Sequence, residues 1–144
     1  MASTIPGRRW SIELFERFWQ KPDAARVMGA LTEDIVGHWP RPIGLVQGSR
    51  DYINVIAKII EVCPDFTVTP AEHAAAGEMH FVRWIARGTG PDGQFEFTGC
   101  DRVQTRNGHV CENYVFCDDP FFARVAAQIA NASSGRGDSL ISKP

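Results

Sequence analysis

The carboxylate with the most unusual setting in this chain is Asp101, within the stretch Phe97 to Asp118, FTGCDRVQTRNGHVCENYVFCD. That stretch reads as two strands joined by a turn at Arg106-Asn107-Gly108, and the residues around the acid suit a sheet interior. A lone acid on the apolar side of a strand is costly unless it is paired or kept protonated. In an apolar, aromatic-lined cavity its pKa rises toward the range where it exchanges protons with a substrate near neutral pH. Such a group suits enolisation or an aldol-type ring closure, in which a C–H proton leaves and an oxyanion must be stabilised. The competing reading is an Asp101 neutralised by Arg83 or Arg102, or one that sits at the sheet edge.

His38 is the next candidate, since a histidine on the first strand could pass protons across a cavity to Asp101. Its bland alternative is a partly exposed ring packed on Pro40. Trp19, Tyr52, Trp84 and Phe97 could line a site for a flat, hydrophobic ligand through stacking and a few hydroxyl or indole hydrogen bonds, or could simply be core. Trp39 would be a wall of the same pocket, and Arg83 could hold an anionic substrate or pair with Asp101. His73, His80 and His109 show no metal-ligand spacing, so no metal or cofactor is expected.

Which residues share the face of Asp101 depends on the turn. A two-residue turn at Asn107-Gly108 sets Asp101 opposite Tyr114, with Glu112, Tyr114 and Phe116 on its side. A three-residue loop with Gly108 left-handed sets it opposite Asn113, with Val115 and Cys117 joining it.

The elements that must position these groups can be read from periodicity. Trp10, Leu14 and Phe18 recur at helical spacing, with Phe15 and Trp19 on the adjoining stripe. Pro22 opens a second, shorter helix over Asp23 to Leu31. A strand over Asp34 to Trp39 follows, and a third helix runs from an N-cap at Ser49 to Cys63-Pro64. Strands are expected over Phe66 to His73, Met79 to Gly88, Gln94 to Gln104 and His109 to Cys117. Pro120 to Ala130 reads as a final short helix. Helices laid on one face of a bent, mostly antiparallel sheet give an α+β cone with a pocket in its mouth, a shape that holds small molecules.

At 144 residues, with 44% hydrophobic and 22% charged, the chain is sized for one domain, expected over residues 1–131 with a flexible tail over 132–144. A net charge of −2 offers no basic surface for nucleic acid, and no apolar run is long enough to span a bilayer. The four cysteines form no CxxC pair. Met1 to Gly7 is short and polar and has no apolar core segment after it, so a cytoplasmic setting with free thiols is expected.

The order of elements and several local words resemble the nuclear transport factor 2-like superfamily, in its SnoaL-like polyketide cyclase and ketosteroid isomerase-like branches. The words are Leu31-Thr32-Glu33-Asp34-Ile35-Val36, Gly48 opening the third helix, and Val82-Arg83-Trp84 followed by Arg87-Gly88-Thr89. Gly99-Cys100-Asp101 then precedes Asn107-Gly108-His109-Val110-Cys111-Glu112. The likeness spans roughly Trp10 to Ala130.

The resemblance implies an acid/base role for Asp101 and favours the three-residue register, with Asp101, Asn113 and Val115 in the pocket and Phe97 and Gly99 on the same side. The second carboxylate that the isomerases use falls at or next to Trp39 here. The acids expected of epoxide-hydrolysing relatives are replaced by Ile85 and Val115. Three functions are thus in play: acid/base catalysis on a small hydrophobic carbonyl compound, of cyclase, lyase or isomerase type; simple binding of such a molecule; or a pure interaction protein whose cone is filled. Glu112 is expected to point outward into a salt bridge or subunit contact. The outer face carrying Trp84 or its neighbours, Tyr114 and Phe116 is expected to pair two copies into a homodimer.

Overall fold

The structure, a computed structural model, describes residues 9–141. The reading of the N-terminal segment as lacking a leader, and of the last three residues as tail, lies outside the described residues.

Helix α1 spans Ile12–Gln20, its start fixed by Ser11, whose hydroxyl accepts from the Leu14 N–H at 3.0 Å. It buries Phe15 and Phe18 and ends before Pro22. Strand β1, Leu31–Trp39, and the short β2, Gly44–Gln47, lead into α2, Ser49–Val62. Four strands follow: β3 Thr67–Ala76, β4 Met79–Gly90, β5 Gly93–Arg106 and β6 His109–Phe116. Helix α3 covers Phe121–Ile141.

The six strands form one sheet in the order β2-β1-β6-β5-β4-β3. Only β1 and β6 run parallel, and the last strand, β6, lies between β1 and β5. One face alternates buried residues such as Ile35, Val82, Ala86 and Val103 toward the helices. Helix α1 packs on β3, and α2 packs on β1 and α3. From α2, Ile56 and Ile59 are almost fully buried, each contributing about 2 kcal/mol by leaving water. The chain ahead of α1 is tied to the other end of the sheet by the Trp10 N–H, which donates to the Gly108 carbonyl at 2.7 Å.

Three local expectations need correction. The segment after Pro22 forms not an α-helix but two 3-10 turns, Ala24–Arg26 and Met28–Ala30, with Asp23 capping the first. Gly29 and a weak apolar stripe give an α-helix little support there. The cap of α2 is Gly48, one residue earlier than Ser49, and no side chain bonds there. Helix α3 does not stop at Ala130: its backbone stays helical through Ile141, in a stretch that holds no proline to end it.

The β5–β6 hairpin matches neither register considered from sequence. Arg106 pairs with His109 across a two-residue turn in which Asn107 and Gly108 both have positive φ, as a type I′ turn requires. Between Gln104↔Glu112 and Thr105↔Val110 the partner strand carries one extra residue, Cys111, a β-bulge. The bulge moves Asp101 opposite Val115 and Val103 opposite Asn113. Asn113 and Val115 therefore share the inner face with Asp101, by a tight turn plus a bulge in place of a longer loop.

Candidate active site

Between α1, the 3-10 turns, α2 and the sheet lies a cavity of about 130 Å3. An apolar cavity of about 150 Å3 admits a benzene-sized molecule, so this hollow suits a single ring. Its walls are aromatic and aliphatic, with Trp19, Trp39, Tyr52, Trp84 and Val115 among them, and Asp101 and Asn113 are set into the sheet side.

Asp101 is 8% exposed. Trp84, from the neighbouring strand, donates its indole N–H to Oδ1 at 2.9 Å, and Asn113 donates Nδ2 to Oδ2 at 3.1 Å. Burial pushes the carboxyl up to about 6, while the bonds from Trp84 and Asn113 pull it back down. Asn113 Nδ2 also lies 2.9 Å from the Tyr52 hydroxyl, which accepts from it. Tyr52 is itself buried, and burial together with the Asp101 charge raises its pKa well above the ordinary phenol value. A hydroxyl that accepts from Asn113 and stays protonated keeps its own hydrogen available as a donor.

Two glycines make this arrangement possible by close approach. A Cβ on Gly99 would sit 2.5 Å from two ring carbons of Trp84 and 2.9 Å from the Phe116 carbonyl oxygen. A Cβ on Gly37 would meet the Tyr52 ring at 2.7 Å and the Trp39 indole nitrogen at 2.8 Å. The bare backbone at these points lets Trp84 and Tyr52 lie over the sheet.

The structure brings Asp101, Trp39, Tyr52, Asn113, Val115 and Trp19 to one cavity. Three other candidates lie elsewhere. His38 is on the outer face of β1, where Nε2 lies 2.8 Å from Glu112 Oε2 and its ring stacks on Tyr114 at 3.8 Å, so it cannot relay protons to Asp101. Arg83 is also outside, on the opposite side of β4 from Trp84, and its Nε donates to Glu72 at 2.8 Å. Phe97 faces inward but packs against Phe66, Phe95, Phe121 and Phe122 rather than lining the hollow. Trp84 is correspondingly inside, where sequence allowed it on the outer face; strand alternation around buried Val82 and Ala86 puts it there.

Arg102, the other cation set against Asp101 from sequence, donates to Glu112 at 2.7 Å on the outer face. Neither arginine reaches the buried acid, and no ion pair to Asp101 occurs among the described residues. Sequence reasoning did not find Arg26, at the cavity mouth, or the role of Trp84 as a direct donor to Asp101. The signal for Trp84 was available in the β4–β5 register, which the turn between Gly90 and Gly93 fixes.

The geometry is thus a ring-sized apolar chamber on a curved sheet, with one acid held by two neutral donors. A SnoaL-like domain profile matches residues 12–113. The chain belongs to the SnoaL-like domain family.

Solved structures agree at the level of fold. IdmH from Streptomyces antibioticus, a candidate polyketide cyclase, is 21% identical with a TM-score of 0.66 over 83% of this chain and 95% of that one. A candidate SnoaL-like polyketide cyclase from a Jannaschia species is 18% identical with a TM-score of 0.63, over 73% of this chain and 83% of that one. A protein with a ketosteroid isomerase-like fold from Catenulispora acidiphila, in complex with trimethylamine, is 14% identical with a TM-score of 0.67, over 80% of this chain and 88% of that one. No curated protein matches the chain. This SnoaL-like domain therefore shares the fold of these proteins.

Proposed function

We propose that this SnoaL-like domain is an acid/base enzyme of the polyketide cyclase or isomerase type, acting on a small hydrophobic carbonyl compound in the chamber. The observation that carries the reading is the environment of Asp101: buried, facing an aromatic hollow, held by Trp84 and Asn113, with Arg83 and Arg102 both engaged elsewhere. With a pKa of about 6, the carboxyl is ionised roughly ten to one at pH 7 and still exchanges its proton readily.

In the first step the Asp101 carboxylate takes a proton from the carbon next to the substrate carbonyl. An O–H bond forms as the C–H bond breaks, and the electron pair moves onto the carbonyl oxygen. The Tyr52 hydroxyl, whose lone pair is occupied by Asn113, donates to that oxygen as its charge grows. The enolate then either attacks a second carbonyl, closing a ring whose new alkoxide takes the proton from Asp101, or, where a carbon–carbon double bond conjugates with it, takes the proton back from Asp101 at the far carbon of the dienolate. On the family resemblance the second carboxylate of the isomerases falls at or next to Trp39, so in this reading a single acid performs both transfers.

Two further readings accompany this one. The outer face exposes Phe81 by 44% and Phe116 by 52%, next to the stacked Tyr114, and this apolar surface supports pairing into a homodimer. Cys63, Cys100, Cys111 and Cys117 are all free thiols, which supports a reducing, cytoplasmic setting. No helix among the described residues is long and apolar enough to cross a membrane.

Exchange of the α-protons of cyclohexanone in deuterated water, followed by NMR, tests the catalytic reading. The native protein should accelerate exchange, and Asp101→Asn should slow it by about 100-fold or more while cyclohexanone still binds. Binding of cyclohexanone without any acceleration by the native protein would instead mark a ligand-binding protein with the same chamber.

A further inference from the structure

Two histidines outside the chamber face each other across the β3–β4 hairpin. Along the chain His73 and His80 are seven residues apart, which is no ligand spacing on a helix or a loop; the hairpin brings them together. His73 pairs with Val82 and His80 with Ala75, so the two imidazoles lie diagonally on one side of the sheet. His73 Nε2 and His80 Nδ1 are 3.1 Å apart, with the rings 15° from parallel. His73 is exposed, whereas His80 is half-buried against Trp10, whose ring lies 4.5 Å away and lines the chamber on its other side. Burial and the neighbouring His73 hold the His80 pKa below the ordinary imidazole value, against the opposing pull of Glu78, so this ring is neutral at pH 7.

We propose that His73 and His80 form a two-imidazole site for a divalent late transition metal, with water filling the remaining positions. Neutral imidazole is a good ligand for such ions. Two nitrogens each about 2.0–2.1 Å from one ion are about 2.9 Å apart at a right angle and about 3.3 Å at the tetrahedral angle, and the observed separation falls between. As it stands, the contact is one shared hydrogen: one facing nitrogen donates and the other accepts. The ion takes the place of that hydrogen, which the neutral ring then carries on its other nitrogen. Rotation of the exposed His73 ring about its soft terminal torsion aims both lone pairs at one point, while Trp10 keeps His80 in place. Glu78 is the carboxylate whose charge reaches His80; its Oε1 is held by Thr105 and Gly108, so it supplies negative potential, part of which Arg9 offsets. Among the described residues no third imidazole, thiolate or carboxylate completes the site. Two nitrogens with open positions suit Cu2+ or Ni2+ better than zinc in a closed tetrahedral site.

Ni2+ is the probe, because Cu2+ would oxidise the free thiols. Titrated into the native protein near neutral pH, it should show one saturable site by calorimetry and quench part of the tryptophan fluorescence, since Trp10 lies beside the pair. His73→Gln and His80→Gln should each weaken binding by about tenfold or more, as expected when one of two linked ligands is lost, and His109→Gln should leave it unchanged. A second measurement needs no variant: in NMR spectra of the native protein the paramagnetic ion should broaden the ring signals of His73 and His80 before any others. No saturable binding up to about 1 mM Ni2+, native affinity in both His73→Gln and His80→Gln, or broadening that begins elsewhere would each overturn the site. Asp101→Asn should bind Ni2+ as the native protein does, whatever its effect on α-proton exchange. Loss of Ni2+ binding in that variant would put the ion in the chamber and overturn the proposal.

Discussion

Trp84 and Asp101 lie on adjacent antiparallel strands, and the indole N–H of one reaches Oδ1 of the other at 2.9 Å across the inner face of the sheet. The tryptophan is at once wall and electrostatic support: its ring encloses the acid in apolar surroundings while its N–H steadies the ionised form. These two effects oppose each other in the acidity of Asp101, and burial is the larger.

Burial of this acid makes stability depend on pH in a defined direction. An acid whose folded pKa is raised, here from 3.8 to about 6, binds more protons folded than unfolded between those values, so the native state loses stability as pH rises through that window. Above the window the loss amounts to about 3 kcal/mol. Asp101→Asn removes it. Urea unfolding of the native protein and of the variant, compared from pH 3 to pH 8, should show a difference that grows in favour of the variant up to about pH 6 and is flat beyond.

The Trp84 bond lowers the pKa of Asp101, so Trp84→Phe should move the midpoint of the pH–rate profile for α-proton exchange upward from about 6. The same variant loses a hydrogen bond to a charged group and should be destabilised by about 2 kcal/mol at neutral pH. An unmoved midpoint would mean that the profile reports some other group.

Gly99→Ala tests the packing beneath that tryptophan. The new methyl would overlap the ring, with Phe116 backbone behind it, so no flexible chain end can yield. A loss of about 1–3 kcal/mol in thermal or urea unfolding is expected, along with the upward pH shift described for Trp84→Phe.

The outer face gives an independent prediction. Phe116→Asp puts a charge into the exposed aromatic row next to Tyr114, where it should shift the protein from dimer to monomer in sedimentation velocity without loss of folded signal. A native protein that already sediments as a monomer would remove the paired assembly.

Much of the architecture is legible from the residues. The alternation through Val82, Trp84 and Ala86 and the turn residues at Gly90 to Gly93 and Asn107-Gly108 mark antiparallel strands, and Asp101 stands out against them. The inner partners Asn113 and Val115 were reachable only by choosing a register. The bulge that sets it at Cys111 carries no side-chain signature, so the face came out as expected by a different route. His38 and Arg83 were harder, because a single polar residue in a strand does not declare its side, and their partners Glu112 and Glu72 lie on other strands. Arg26 was hidden for another reason. Its position follows from a turn of 3-10 geometry that weak helical spacing disguised.

Cys111 has an effect beyond parity. A bulge bends and coils the strand that carries it, and this one lies in β6, between β1 and β5. Deleting Cys111 would leave Gln104 facing Glu112 and Thr105 facing Val110, so every inward residue would keep its side. What would change is how far the hairpin leans over the helices. Identity of the lining and depth of the bowl are therefore governed separately, the first by strand alternation and the second by one supernumerary residue outside the cavity lining.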